Sequence, residues 1–215
     1  MTVAAARKRL GRIGSLTVLA LLSSGMPVSE AVATKCDGHE VTIMGTADDD
    51  TIDGTEEVDV IWGGPGNDVI NGRGGNDRLC GGSGNDRLAG GGTSLEDPHD
   101  RLFGGRGADT AFFAGAEGSV NAYIYRRGFD GGGVAKAQGV GMNRLFGIEN
   151  LRGTAYDDSL HGDSGANRLW GREGDDALKG RGGNDRLMGG EGQDTVDGGG
   201  GKDHCLDAES TSNCE

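Results

Sequence analysis

The sequence predicts an all-β solenoid, and three observations carry that reading. Glycine recurs every nine residues from Gly45, and an aspartate stands five residues after it with the same period. Two residues beyond each aspartate comes an apolar side chain. Self-similarity at a short fixed period is the mark of a stacked repeat architecture. Composition agrees. Of 215 residues, 45 are Gly and only three are Pro, while apolar residues make up 34% and aromatics 5%. That is too little for an ordinary globular core of this length, and too little proline for collagen or a Pro-rich linker. The formal charge of −13 argues against a nucleic-acid partner, because phosphate binding needs a basic face. It fits a cation-binding surface. Low hydrophobicity with high net charge is also the composition of chains that stay unfolded until something neutralises them.

Residues 1–33 stand apart. Arg7, Lys8, Arg9 and Arg12 form a basic start, Ile13 to Leu22 is a short apolar run, and Ala31-Val32-Ala33 is a small-residue cleavage pattern. This is the pattern of a secretory leader. The apolar run is shorter than the ~20 residues a spanning helix needs. Cleavage after Ala33 predicts a secreted, extracellular mature chain with no membrane span, and more acidic than the precursor.

Thr34 to Met44, with Val41 and Ile43 alternating, reads as a capping strand before the repeats. From Gly45 the chain divides into GTADDDTID, GTEEVDVIW, GGPGNDVIN, GRGGNDRLC and GGSGNDRLA, then a longer GGGTSLEDPHDRLF and GGRGADTAF, ending at Phe112. The frame returns at Gly153 with GTAYDDSLH, GDSGANRLW, GREGDDALK, GRGGNDRLM, GGEGQDTVD and GGGGKDHCL, ending at Leu206. Every unit begins with Gly. Position six is Asp50, Asp59, Asp68, Asp77, Asp86, Asp100, Asp109, Asp158, Asp176, Asp185, Asp194 and Asp203, with Asn167 the exception. Position eight is apolar throughout, from Ile52 to Cys205. Glycines at positions one, two and four suit a turn at positive φ. The last three residues, with one side chain in and two out, suit a short strand.

This pattern resembles the RTX, or hemolysin-type, calcium-binding repeat, over Gly45–Phe112 and Gly153–Leu206. The resemblance implies a parallel β-roll: a calcium-binding turn from each unit's first six residues, a strand from its last three, and two units per coil. Units two apart then stack about 4.8 Å from one another, with their aspartates facing one gap. Two carboxylates and turn carbonyls form the all-oxygen shell that Ca2+ prefers. Several ions are expected, with all twelve aspartates as ligands. Asp68 with Asp86 is the best pair, followed by Asp59–Asp77, Asp176–Asp194 and Asp185–Asp203. Asp50–Asp68 and Asp158–Asp176 are weaker, because the turns at Gly45 and Gly153 lack a fourth-position Gly. A site shared by Asn167 and Asp185 loses a charge. So thin a core and so many stacked carboxylates predict folding coupled to calcium. Many RTX proteins carry an uncleaved C-terminal export signal; the leader here departs from that and points to general export.

Residues 113–152 break the frame. Ser119 to Tyr125 alternates and reads as a strand, and Arg126 to Gly141 as a Gly-rich loop. Asn143-Arg144-Leu145-Phe146-Gly147 echoes Asp100-Arg101-Leu102-Phe103-Gly104, followed by a shortened GIENLR. This segment is expected to be distorted solenoid, its Phe112, Phe113, Tyr123 and Tyr125 packing inward or marking a binding surface. The chain thus divides into leader 1–33, cap and first array 34–112, interruption 113–152, and second array with C-terminal cap 153–215. Four cysteines in an exported chain suggest disulfides. Three pairings are possible, and Cys36–Cys80 with Cys205–Cys214 is favoured, since each pair lies at one end of the repeats.

Catalytic motifs do not hold up. Gly162-Asp163-Ser164-Gly165 falls on a repeat turn. His39-Glu40 lacks the second His of a zincin, since Ile43 stands there. Asp49 to Gly54 starts like an EF-hand but has Val60 at the twelfth position. The run at Gly198 lacks the first Gly and the Ser/Thr of a P-loop. The expected function is therefore a non-catalytic structural, adhesive or calcium-sequestering role. The alternatives are an accessory module of an extracellular enzyme, or a solenoid face that binds a surface polymer or lattice; the recurrent Arg at position seven suits contact with neighbouring acidic turns or with an anionic polymer.

Overall fold

The computed structural model describes residues 35–91, 99–113, 115–124, 133–137 and 141–215. They contain strands and turns, with no helix long and apolar enough to cross a membrane. The leader, the tip of the long sixth unit and Tyr125 lie outside the described residues.

The repeats wind into two sheets that form opposite walls of a parallel β-roll. One wall has eight strands, in order Thr51–Asp53, Val69–Arg73, Arg87–Gly91, Thr110–Phe112, Asn150–Arg152, Arg168–Glu173, Arg186–Glu191 and His204–Leu206. The other has eleven: Ile43–Met44, Val60–Pro65, Arg78–Ser83, Arg101–Arg106, Gly141–Phe146, Gly133–Ala137, Val120–Tyr123, Ser159–His161, Ala177–Lys179, Thr195–Asp197 and Ser210–Ser212. Successive units alternate between walls, so two make a coil. Register follows the period: Ile52 sits beside Ile70 and Ile70 beside Leu88 on one wall, and Ile61 beside Leu79 on the other. Several strands run on into the next turn and reach six residues, as in Val60–Pro65, longer than the triplet expected.

Position-eight side chains fill the space between the walls. Ile61, Ile70, Leu79, Leu88, Leu160, Leu187 and Val196 are fully buried, whereas Ile52 and Cys205, in the end coils, are only partly covered. The core is one side chain wide, so each coil depends on its neighbours for burial.

The interruption is spliced into the eleven-stranded wall. Val120–Tyr123 pairs parallel with Ser159–His161, and Gly141–Phe146 pairs parallel with Arg101–Arg106. Between them Gly133–Ala137 runs antiparallel to both. That strand corrects the expectation of a loop over 126–141. Its register is set by partners on both sides, which a Gly-rich composition does not reveal. Val120, Ala122, Ile124, Ile148 and Phe113 join the common core, whereas Phe112 and Tyr123 are half-exposed on the outer faces.

The N-terminal segment is a hairpin rather than a single strand. Lys35–Cys36 pairs antiparallel with His39–Glu40, turning through Asp37 and Gly38 at positive φ. Ile43–Met44 then opens the eleven-stranded wall. Cys36–Cys80 pins the hairpin to that wall, with Cα atoms 5.9 Å apart, and Cys205–Cys214 closes the last coil at 5.8 Å. Both favoured pairings are present.

Candidate metal centres

The turn from Gly63 to Asp68 shows how sequence builds a site. Gly64 and Gly66 stand at φ 119 and 130, which side chains rarely tolerate. Gly63 does not. Its constraint is space: a Cβ there would lie 2.6 Å from the carbonyl oxygen of Gly81 in the next coil and would overlap Oδ2 of Asp68. Position one is therefore Gly because two oxygens converge on the place a side chain would occupy. The same cradle recurs at Gly72, between Asp77 and Gly90, and at Gly180, between Asp185 and Gly198. Position two adopts positive φ where it is Gly and also where it is Arg73, Arg172 or Arg181, but not where it is Thr46, Thr55, Thr154 or Asp163.

All twelve aspartates are buried. One carboxylate oxygen of ten of them accepts a backbone N–H from a neighbouring coil. Oδ1 of Asp68 accepts the backbone N–H of Asp50 at 2.9 Å, and Oδ1 of Asp86 accepts that of Asp68 at 2.8 Å. Asp77 serves Asp59, Asp100 serves Asp77, Asp109 serves Asp86, Asp176 serves Asp158, Asp194 serves Asp176, Asp185 serves Asn167 and Asp203 serves Asp185. The second oxygen separates two kinds of turn. Oδ2 of Asp68, Asp77, Asp86, Asp100, Asp109, Asp176, Asp185, Asp194 and Asp203 is buried with no hydrogen-bond donor. Oδ2 of Asp50, Asp59 and Asp158 is capped within its own turn. Thr46 N–H reaches Asp50 at 2.6 Å and its Oγ1–H at 2.9 Å; Thr55 does the same to Asp59 at 2.7 and 2.8 Å. Thr154 N–H reaches Asp158 at 2.6 Å. Asn167 is likewise closed: its Oδ1 accepts from Asp163 N–H, and its amide donates to the carbonyl of Glu149, each at 2.8 Å. Asp59, ranked with the stronger turns from sequence, thus shares the geometry of the weaker ones.

Sequence reasoning missed three residues that take the place of a position-six aspartate. Glu149 accepts the N–H of Asp109 at 2.9 Å, and Glu209 that of Asp194 at 2.7 Å. Asn143 Oδ1 is buried without a donor and converges with Asp100 Oδ2 at Gly90. The N-R-L-F echo and the shortened GIENLR hold the signal for two of them; Glu209 shows itself only once Ser210–Ser212 is seen to pair with Thr195–Asp197. A further ladder runs the opposite way at position five. Asn67 N–H donates to Asp49 Oδ1 at 2.7 Å and Asn85 N–H to Asn67 Oδ1 at 2.8 Å. The recurrent G-N-D is its trace in sequence.

Burial, opposed by the backbone N–H bonds and in most cases reinforced by neighbouring carboxylates, raises several of the position-six aspartates from their usual 3.8. Asp77 is pushed up to about 8 and Asp176 to about 7. Asp68, Asp86 and Asp185 rise to about 6 by the same causes. Asp100 and Asp109 also rise to about 6, burial again the largest cause. Such an array is unstable as buried anions and calls for a counter-charge.

Among the described residues no three His, Cys, Asp or Glu side chains converge on one point. The donors that do converge are one or two carboxylate or amide oxygens with a main-chain carbonyl, gathered beside each position-one glycine. Oxygen-only donors of this kind suit a hard cation and not zinc or copper. The residues present fit calcium.

The family model for the RTX calcium-binding nonapeptide repeat, in four copies, matches residues 42–69, 53–88, 99–112, 146–178 and 170–205. Together these spans cover more than half of the chain. No curated protein matches it.

Proposed function

The chain belongs to the RTX calcium-binding nonapeptide repeat family, and from that premise we propose an exported, non-catalytic protein whose solenoid folds as calcium fills the gaps between turns. Calcium binding itself follows from the family. The observation that carries the rest is the set of nine buried Oδ2 atoms without a donor, each beside the cradle of a position-one glycine.

In this reading Asp68, Asp77, Asp86, Asp100, Asp109, Asp176, Asp185, Asp194 and Asp203 supply charged ligands, helped by Asn143, Glu149 and Glu209. Asp50, Asp59 and Asp158, already capped by threonine, contribute their carbonyl-lined turns as the ends of each stack. When bound, the cation supplies the positive charge that buried carboxylates lack. The chain's own part is to exclude water and hold the oxygens in place. The leader at 1–33, two disulfides, and calcium available outside the cell combine into one scheme. The chain crosses the membrane unfolded, then closes into a roll where calcium is abundant. The arrays at 34–112 and 153–215 are joined through the interruption at 113–152.

The test is far-UV circular dichroism of the chain from Thr34 during calcium titration, with magnesium as control. A cooperative gain of β signal with calcium alone is expected. Full β signal in chelator at neutral pH, or none in calcium, overturns the coupling.

A further inference from the structure

The position-seven arginines divide between the two walls, and the walls treat them differently. On the eleven-stranded wall, Arg78 and Arg101 both reach Asp37 of the N-terminal hairpin, at 3.5 and 2.9 Å. On the eight-stranded wall, the residues flanking each inward side chain from Val69 to Leu206 include Arg87, Arg152, Arg168 and Arg186 and no carboxylate. Among the described residues no acid lies within ion-pair distance of these four. In a chain of net charge −13, an unbalanced basic face is a local exception.

Aromatic rings lie within that face. Register places Arg152 between Phe112 and Trp170. Its guanidinium lies 4.5 Å from the Trp170 ring centroid, and that of Arg87 lies 5.7 Å from Phe112. Burial and the nearby positive charges of Arg172 and Arg87 hold Arg152 below its usual range. Trp170 remains 41% exposed, on the strand between those that carry Arg152 and Arg186.

We propose that this face binds an acidic polysaccharide laid along the solenoid axis, with successive carboxylates on Arg152 and Arg186 and the sugar ring between them on Trp170. Guanidinium groups bind carboxylates in paired, planar geometry. Arg152 and Arg186 sit two strands apart, about 10 Å, with the strand of Trp170 between them. That spacing suits a polymer with one acid every second sugar. It suits a nucleic acid poorly, whose charge every ~1.7 Å would meet the acidic turns on both edges of the wall. The proposal rests on the calcium-folded roll described above.

The experiment uses the Trp62→Phe variant, in which Trp170 is the only one of two tryptophans left, titrated in calcium with hyaluronate while its emission is followed. A saturable emission change, weakened by salt and absent with neutral dextran, is expected. Adding Arg152→Gln and Arg186→Gln, both on the outer side of that wall, should lower affinity about a hundredfold, roughly tenfold for each lost charged contact. Arg144→Gln, on the opposite wall, should leave it unchanged. Circular dichroism of the same samples separates the two readings. A calcium-folded chain that ignores hyaluronate, loses affinity equally with Arg144→Gln, or binds oligothymidylate as tightly overturns this proposal alone. A chain that stays unstructured in calcium overturns both.

Discussion

The backbone N–H of Asp68 donates to Oδ1 of Asp86, 2.8 Å away and 18 residues on. This bond ties each coil to the next with half of a carboxylate and leaves the other half facing a gap. Substitutions that touch one oxygen and not the other therefore separate the structural role from the metal role. In Asp86→Asn the oxygen that accepts from Asp68 is kept and the charge is lost. One fewer calcium ion is expected by calorimetry, with apparent affinity down roughly tenfold, since ligand charge sets affinity in such sites. An unchanged ion count would remove Asp86 from the ligands.

Thr154→Val tests the capped turns. The hydroxyl and the N–H of Thr154 satisfy Asp158 without a metal. Loss of the hydroxyl should cost about 1 kcal/mol in denaturant melts and leave the number of bound ions as it was. A drop in ion number would mean that Asp158 is an ordinary ligand.

Gly81→Ala and Gly182→Ala form a matched pair. A Cβ on Gly81 would lie 2.6 Å from the carbonyl oxygen of Gly104 and overlap Asp86 Oδ2, whereas at Gly182 the nearest atom is 3.7 Å away. The first should destabilise the calcium-loaded roll by about 1–3 kcal/mol. The second should be neutral, or stabilise by up to ~1 kcal/mol through the unfolded chain. Equal effects would mean that position one is glycine for another reason.

Protons should substitute in part for calcium. Asp68 and Asp77 stand at about 6 and about 8 in the metal-free roll, against a usual 3.8. The folded chain then holds more protons than the unfolded one across that interval. Stability from this source is fully present below 3.8 and is lost as pH rises through 6 to 8. In chelator, acidification from about pH 7.5 to about pH 5 should raise the β signal, and calcium added near pH 6.5 should release protons. Acidification that lowers the β signal over this interval would contradict the burial of these carboxylates.

Much of this architecture was legible in the residues. Ile52, Ile61, Ile70 and Leu79 already state which strands lie side by side, because a nine-residue period with two units per coil leaves one register that buries them all. The turn chemistry was less legible. Gly63 and Gly64 are the same residue type serving opposite needs, one for the missing Cβ and one for positive φ, and Arg172 shows that the second need can be overridden. Thr55 looks in sequence like a missing glycine and acts in the fold as a cap, so Asp59 was ranked above its geometry. Glu149 and Glu209 escaped because a shortened unit and a terminal strand break the count that identifies position six. The strand at Gly133–Ala137 has no periodic signature, since its pairing is decided by neighbours far away in the chain.

That strand also decides how the two arrays are joined end to end. Between Arg101–Arg106 and Ser159–His161 the eleven-stranded wall takes four strand steps, while the opposite wall takes two between Thr110–Phe112 and Arg168–Glu173. The surplus is two strand widths, about 10 Å. Unless the added strands bulge outward, the halves cannot share a straight axis, and the rod bends toward its shorter side. A bend of that sense would place Phe112, Arg152 and Trp170 on the inside of the curve, turning a flat wall into a shallow trough.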